Sequence, residues 1–320
     1  MTDRVLITGG TGMIGSHLVD EIVNKRPSTL ITVLDNLEVG KNTEIFNHKQ
    51  ASFVKGSVLD ESLVNKLIGE NDITYHLATL KKGNEIDSSL PTLNTITKSA
   101  ELCLEASKLH KKRIVIASTS DVYGYGTNFP FSEDDPISLG PFNTRRWSYA
   151  VAKLYTEQLA YEFFMQDVDV RVVRYFGGFS ERSSFTWRGG HPPLFAYNAF
   201  NNINLTVHGD GSQTRCVAHG SDLAFGTRLL GESENCKGEL VNIGSDEELS
   251  IKVCAEKTLK IFSESTSSIV YEDTKEIFGK YNEIKRRKPN LEKANKLLGY
   301  APRLNFEDSM KIMKNYLQSL

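Results

Sequence analysis

The chain has 320 residues, of which 38 are lysine or arginine and 40 are aspartate or glutamate, giving a formal net charge of −2. This near-neutral balance provides no basic stripe and argues against nucleic acid as a partner. No apolar run approaches the length that spans a bilayer, and a strand-like run already begins at Val5, which argues against a signal peptide. We therefore expect a soluble, cytoplasmic protein built as one large domain or two closely associated ones.

The cysteines and histidines give no sign of a metal site. The cysteines are scattered without a Cys-x-x-Cys pair, which favours reduced, structural thiols at Cys103, Cys216, Cys236 and Cys254. The histidines show no ligand spacing with cysteines or carboxylates, so no bound metal is expected.

The N-terminal residues predict a dinucleotide-binding unit. Residues 4–8 form an apolar strand, a glycine-rich turn follows at residues 9–15, and a helix then begins. Gly9 allows the tight turn, Gly12 lets the backbone approach a diphosphate, and Gly15 lets the helix pack on the strand. The N–H groups at the helix start favour an anion.

Asp35 predicts the choice of cofactor. It ends a second strand, residues 30–34, about twenty residues after the last glycine, where an acid binds the ribose hydroxyls of adenosine. Its charge would repel a 2′-phosphate, and neither Asn36 nor Leu37 offers a cation in its place. We therefore expect NAD rather than NADP.

Further strands alternate with helical segments along the chain. They are predicted at residues 52–54, 73–78, 113–117 and 170–176. This rhythm indicates an α/β fold with a doubly wound parallel sheet of the Rossmann type over residues 1–176. Residues 177–320 are expected to form a smaller, interleaved substrate domain, with a strand near residues 239–243 returning to the main sheet.

The helix predicted for residues 147–161 carries a candidate catalytic pair. Tyr149 and Lys153 stand one turn apart on one face, so the ammonium could lower the phenol pKa toward working pH, although such a pair is often a plain surface feature. The apolar stripe of this helix is predicted at Ala152, Tyr155, Leu159 and Phe163.

Several segments together resemble the extended short-chain dehydrogenase/reductases, specifically the NAD-dependent nucleotide-sugar epimerase/dehydratase family. The turn at residues 9–15, residues 118–124 (Ser-Thr-Ser-Asp-Val-Tyr-Gly) and Tyr149-x-x-x-Lys153 carry the resemblance. Later segments agree with it, at residues 208–215, 241–244, 286–290 and 296–300.

The resemblance implies NAD as cofactor and a nucleotide sugar, most readily a UDP-sugar, as substrate. Tyr149 would take the proton of the sugar 4-hydroxyl, Lys153 would hold the nicotinamide ribose, and Thr119 would hydrogen-bond the reacting oxygen unless it is an ordinary strand-end cap. The implied cofactor residues are Gly9, Gly12, Met13, Ile14, Gly15, Asp35, Asn36, Leu77, Ala78, Thr79, Asn94, Tyr149, Lys153 and Tyr175. The implied substrate residues are Thr119, Ser120, Tyr149, Gly177, Val207, Arg215 and Arg287, with the two arginines on the diphosphate.

The resemblance leaves the reaction open at the 4-keto sugar. Dehydratases of the family carry an Asp-Glu pair where this chain has Ser120-Asp121, so dehydration is disfavoured. UDP-glucuronate decarboxylases carry a glutamate at the position of Asp121, and 4-epimerases carry a small residue. We expect a 4-epimerase, with the decarboxylase or dehydratase as alternatives and a non-catalytic NAD-binding sensor or scaffold as a different class. The resemblance also implies a homodimer formed through the helices near residues 92–109 and 149–164.

Three departures from the family pattern concern its ligand contacts. Gly177-Gly178 stands where the family usually has asparagine, so an amide that would touch the sugar or phosphate is absent. The loop at residues 187–193 is unusually rich in glycine and proline, which predicts a sugar pocket lined differently from the family norm. The acid expected near Ser57-Val58, beside the adenine, is also missing.

Overall fold

The computed structural model describes residues 3–80, 89–273 and 284–320. Its strands are β1 Arg4–Thr8, β2 Leu30–Asp35, β3 Ala51–Lys55, β4 Ile73–His76, β5 Arg113–Thr119, β6 Val170–Tyr175, β7 Gly178–Phe179, β8 Leu205–His208, β9 Thr214–Cys216, β10 Ala218–His219, β11 Leu240–Ile243, β12 Glu248–Ser250 and β13 Ile269–Glu272. Its helices are α1 Met13–Lys25, α2 Glu61–Glu70, α3 Leu90–His110, α4 Ser148–Phe164, α5 His191–Phe200, α6 Gly220–Glu232, α7 Ile251–Ile261, α8 Glu292–Leu298 and α9 Phe306–Ser319.

A seven-stranded parallel sheet organises the molecule, with the strand order β3-β2-β1-β4-β5-β6-β11. The chain starts in the middle, builds outward to β3, and then crosses back to add β4, β5 and β6 on the other side of β1. The predicted Rossmann fold is confirmed. Ligands of such sheets bind beyond the carboxyl ends of the strands, at the point between β1 and β4 where the order reverses.

Helices cover both faces of this sheet, so most residues of its strands are apolar. On one face Ile7 packs with Leu18 of α1 and Leu223 of α6. On the other face Leu6 packs with residues of α2, α3 and α4, among them Leu102. Neighbouring residues of β1 thus serve opposite layers, and both are fully buried.

A second lobe stands on the carboxyl side of the sheet. It contains the small pairings β8 with β13 and β9 with β12, and α5, α7 and α9 enclose a core that includes Phe195, Phe262 and Phe306. The chain does not stay in this lobe, because α6 returns to pack beside α1 and β11 pairs with β6. We retain the division at residues 176 and 177 as a proposal about domains.

Two features bear on the environment of the protein. All four cysteines are buried, and none forms a disulfide. Within the described parts of the chain, no helix combines the length and the apolar character that crossing a membrane requires.

The buried face of α4 differs from the predicted stripe at one of its four residues, Tyr155. Tyr155 is 43% exposed, and its hydroxyl donates to Oε1 of Glu101 on α3 at 2.7 Å. The residues turned inward include Lys153, Thr156 and Glu157 instead. The predicted stripe thus holds at Ala152, Leu159 and Phe163 and fails at Tyr155, because this helix also packs polar groups onto the sheet.

A buried ion pair joins α4 to the sheet. Arg174 of β6 donates from Nε to Oε1 of Glu157 at 2.8 Å and from Nη2 to Oε2 at 2.6 Å, and the two side chains are only 5% and 3% exposed. Ser118 of β5 donates its hydroxyl to the same carboxylate. The Arg174 guanidinium also lies 4.7 Å from the centre of the Tyr123 ring. These contacts fix one helix against two adjacent strands.

We expect Arg174→Met to lower the free energy of unfolding by about 3–5 kcal/mol, because it leaves the Glu157 carboxylate buried without its cation. Arg286→Met is the matched control, since Arg286 makes an equally bidentate contact with Glu248 at 2.7 and 2.9 Å but is 45% exposed. Exposed pairs contribute little. Urea unfolding followed by circular dichroism measures both variants, and equal losses would contradict the role of burial.

Candidate active site

A cavity of about 570 Å³ opens at the carboxyl ends of the strands. Most cofactor residues predicted from the sequence line it, namely Gly9, Gly12, Met13, Ile14, Gly15, Asp35, Asn36, Leu77, Ala78, Thr79, Tyr149, Lys153 and Tyr175. It is also lined by Thr119, Ser120, Asp121, Gly177 and Arg287. One continuous cavity therefore runs from the glycine-rich turn to the catalytic pair.

The glycine-rich turn fits a diphosphate. Gly9 has φ of +73°, and a Cβ there would lie 2.7 Å from the backbone of Ala78. A Cβ on Gly15 would lie 2.4 Å from the carbonyl oxygen of Gly9, so these two positions require glycine. Gly12 precedes α1 and has no side chain to cap it, which leaves first-turn N–H groups for an anion.

Two backbone N–H groups fix the carboxylate of Asp35 at the edge of the cavity. Its side chain is 8% exposed, Oδ2 accepts from the Thr11 N–H at 3.1 Å, and Oδ1 accepts from the Leu37 N–H at 2.9 Å. A carboxylate has about four lone-pair positions, so it can still accept from ribose hydroxyls. Val58 and Ser57 line the same end of the cavity, where the expected acid is missing.

Lys153 is anchored to the sheet beneath the cavity. It is 3% exposed and donates from Nζ to the carbonyl oxygen of Ala117 at 2.7 Å. Burial lowers the pKa of Lys153 to about 8, and the charge of Glu157, one turn along α4, opposes this shift. Lys153 is therefore a buried ammonium close to losing its proton at neutral to mildly alkaline pH.

The expected lowering of the Tyr149 pKa is not found. Burial raises the pKa of the phenol, the negative charge of Asp121 raises it further, and a hydrogen bond with Thr79 opposes both. Sequence spacing suggested that Lys153 would stabilise the phenolate, but its ammonium donates to Ala117. Base catalysis by Tyr149 at neutral pH therefore requires additional positive charge beside the phenol.

Thr119 ends β5 beside these two groups. Its Oγ1 accepts from the Asp121 N–H at 3.2 Å, so it does form the strand-end cap considered above. A hydroxyl that accepts this bond still has its own proton to donate. Capping and binding of a reacting oxygen are thus compatible in one side chain.

Two arginines converge on Asp121 at the far end of the cavity. Oδ1 of Asp121 accepts from Nη1 of Arg287 at 2.5 Å and from Nη2 of Arg146 at 3.1 Å, and Asp121 is 3% exposed. Arg287, which the resemblance assigned to the diphosphate, is therefore paired beside Tyr149. Arg146 was missed by the sequence reasoning, although its position three residues before Tyr149 was an available signal.

Three predicted contacts do not line the cavity. Asn94 is exposed on α3, and it is its neighbour Thr95 that reaches the cavity. Val207 lies in the middle of β8 and is fully buried in the core of the second lobe, so its side chain cannot reach a ligand. Arg215 on β9 donates to the carbonyl oxygen of Thr214 at 2.7 Å.

Comparison with known proteins supports a family assignment. Residues 5–244 match the model of the NAD dependent epimerase/dehydratase family. A UDP-N-acetyl-alpha-D-glucosaminuronate decarboxylase of Bacillus cytotoxicus is 34% identical over 316 residues, covering 97% of this chain and 96% of its own.

Two solved structures share the whole fold. The epimerase Mth375 of Methanothermobacter thermautotrophicus is 27% identical with a TM-score of 0.89, and the match covers 99% of this chain and 93% of the other. A UDP-glucuronic acid 4-epimerase of Bacillus cereus, solved with UDP-glucuronic acid and NAD, is 25% identical with a TM-score of 0.86 and 99% coverage of both chains. The chain therefore belongs to the NAD-dependent epimerase/dehydratase family, and NAD is its cofactor.

Proposed function

We propose that this enzyme oxidises a UDP-linked uronate sugar at C4 and then decarboxylates it. One observation carries the proposal: Arg146 and Arg287 converge on the single carboxylate of Asp121 beside Tyr149. Arg287 lines the cavity there, and its guanidinium has donors beyond the one used on Asp121 that would bind a substrate carboxylate. The similarity to the decarboxylase of Bacillus cytotoxicus supports the same substrate class.

Arg287 is the residue we assign to the substrate carboxylate. A guanidinium has five N–H donors, and the bond from Nη1 to Asp121 uses only one of them. The remaining donors can meet a carboxylate in a bidentate fork. Arg287 lines the cavity and is 14% exposed, so it is accessible to a ligand there but poorly screened by water.

The proposed reaction follows from the chemistry of a ketone beside an acid. Tyr149 accepts the proton of the 4-hydroxyl, and the Thr119 hydroxyl donates to the oxygen that becomes the ketone. NAD supplies, when bound, the acceptor for the C4 hydride and the donor that returns it. The 4-ketone lies β to the C6 carboxylate, so the C5–C6 bond breaks, carbon dioxide leaves, and the electron pair moves onto the C4 oxygen. Protonation of C5 by water restores the ketone, hydride returns to C4, and Tyr149 returns its proton to the C4 oxygen, which completes a pentose.

The same residues support 4-epimerisation of the uronate as a second candidate. The side chain of Asp121 is one methylene shorter than the decarboxylase glutamate and is held by two arginines. An epimerase keeps the C6 carboxylate of its substrate, and tight binding of that carboxylate would suppress its loss as carbon dioxide. Dehydration is less favoured, because Asp121 is engaged and Ser120 replaces the second acid. A purely non-catalytic role is disfavoured because Thr119, Tyr149 and Lys153 all line one cavity.

We also propose a homodimer through α3 and α4. The two helices pack together and leave large apolar side chains exposed, with Leu109 at 69%, Val151 at 46% and Tyr155 at 43%. A second copy of the same pair would cover these side chains as a four-helix interface.

The charge of Asp35 predicts a difference in affinity between the two cofactors. NAD should bind at least about tenfold more tightly than NADP, a difference near 1.4 kcal/mol, because Asp35 repels a 2′-phosphate. Asp35→Asn should narrow the gap by removing that charge while retaining a hydrogen-bond acceptor. Isothermal titration calorimetry gives the four affinities, and equal binding of NAD and NADP by the unmodified protein would contradict the assignment.

The proposed reaction predicts that C6 of the substrate is lost as carbon dioxide. UDP-glucuronate and UDP-N-acetylglucosaminuronate labelled with ¹³C at C6 should release labelled carbon dioxide and yield a UDP-pentose by NMR. A product that keeps the label and is inverted at C4 would instead establish the epimerase. If neither uronate reacts and neutral UDP-sugars are turned over, the proposal that the substrate carries a C6 carboxylate is wrong.

Two variants test the assigned roles in this reaction. Tyr149→Phe should retain NAD binding and lose at least about a hundredfold in turnover, the scale of general base catalysis. Arg287→Met should lose a similar factor on uronates, and Arg286→Met, its neighbour outside the cavity lining, is the matched control. Equal activity of Arg287→Met and Arg286→Met would refute the carboxylate contact.

The proposed interface predicts the oligomeric state of the protein. The protein should sediment as a dimer at micromolar concentration, and Tyr155→Glu should shift it to monomers by burying charge in the interface. Ile203→Glu, at a residue 49% exposed in the second lobe, is the control and should remain dimeric. A monomeric unmodified protein would exclude the interface.

A further inference from the structure

Three residues that are far apart in the sequence lie close together beside α1, the helix that follows the glycine-rich turn. His17 lies on α1, Glu181 follows β7, and His219 ends β10 just before α6. One ligand atom from each lies within 4.8 Å of the others, which forms a His-Glu-His cluster. No sequence spacing predicts this cluster, because its members are far apart along the chain.

The spacing of the ligand atoms suits a small cation. Nε2 of His219 lies 3.1 Å from Oε2 of Glu181, and Nε2 of His17 lies 3.6 Å from Oε1. In a tetrahedral zinc site with bonds of about 2.0–2.2 Å, ligand atoms are roughly 3.3–3.5 Å apart. Two histidines and one carboxylate are also a ligand set that zinc uses, with a water completing the four.

The ring of His17 provides the second observation. Its side chain is 7% exposed, and among the described residues its Nε2 atom has no hydrogen-bond partner. Buried polar atoms are almost always paired, and an unpaired one costs free energy. The nearest carboxylate oxygen, on Glu181, is beyond hydrogen-bond distance, so a cation between them would satisfy both groups.

The surroundings provide supporting contacts. Nδ1 of His219 accepts from the Ser221 N–H at 3.2 Å and lies 2.8 Å from the Ser221 hydroxyl. Metal binding at Nε2 would move the ring proton to Nδ1, where the Ser221 hydroxyl can accept it, as outer groups do in metal sites. Arg182 Nε lies 3.8 Å from Glu181, but its Nη2 is paired with Asp20 at 2.5 Å. Asp20 balances the charge of Arg182, so the charge of Glu181 stays available to a divalent cation.

We propose that His17, Glu181 and His219 bind one Zn²⁺ ion. The ion would connect α1, the segment carrying Glu181, and the start of α6. Asn42 donates to the carbonyl oxygens of both Thr11 and Arg182, at 2.9 and 3.3 Å, so this segment also rests on the glycine-rich turn. The proposed ion would hold the second lobe against α1, and this structural role does not depend on which reaction the enzyme catalyses.

Zinc binding is tested on the full-length protein after removal of metal with a chelator. Competition with a chromophoric chelator should give one Zn²⁺ per chain with a dissociation constant below about 1 μM. Saturating Zn²⁺ should raise the melting temperature by about 5 °C or more. Co²⁺ in its place should give the visible absorption of a tetrahedral site.

Variants separate a zinc site from a hydrogen-bonded cluster. Glu181→Gln can still accept from His219, so the fold should survive, but zinc affinity should fall at least about a hundredfold and the thermal shift should vanish. His219→Gln should do the same, whereas His110→Gln, at a histidine bonded to Asn65 far from the cluster, should retain both. No zinc binding by the unmodified protein at about 100 μM, no tetrahedral Co²⁺ spectrum, or unchanged affinity in Glu181→Gln would each overturn the proposal.

Discussion

The active site depends on the buried ion pair between Glu157 and Arg174. A helix that lies over a parallel sheet normally presents apolar side chains to it, but α4 presents Glu157 with Lys153 one turn away. Burying these charges is tolerable only because Arg174 and Ser118 meet the carboxylate and the Ala117 carbonyl accepts from Lys153. The same contacts that satisfy the charges also fix the register of α4 on β5 and β6. Tyr149, on the first turn of α4, is thereby carried to the strand ends.

Features that rest on local sequence could be predicted. The glycines at 9, 12 and 15 and the acid at Asp35 follow from the geometry of one strand, one turn and one helix, and all of them line the cavity. The doubly wound parallel sheet could be predicted as well, because apolar strands alternating with helices permit few arrangements.

Features that depend on long-range pairing could not be predicted. Arg287 was assigned by motif to a diphosphate, but its position is set by Asp121, which belongs to a distant part of the chain. The alternation of β8 turns the Val207 side chain into the core of the second lobe, and Tyr155 is exposed because the inner face of α4 includes polar residues. The His17, Glu181 and His219 cluster has no sequence spacing at all, since the fold alone brings its members together.

Under the proposed function, the charges around Asp121 would link the choice of substrate to the outcome of the reaction. An arginine that attracts a C6 carboxylate also stabilises it, and by itself this opposes the loss of carbon dioxide. Asp121 counters that effect by partly neutralising both arginines and by bringing a negative charge near the reacting sugar. The same negative charge raises the pKa of Tyr149, so it makes the first proton transfer harder. The Asp121 carboxylate therefore slows the oxidation of C4, so its presence favours a reaction in which a later step is accelerated. Cleavage of the C5–C6 bond is such a step, because negative charge then leaves the C6 carboxylate of the substrate.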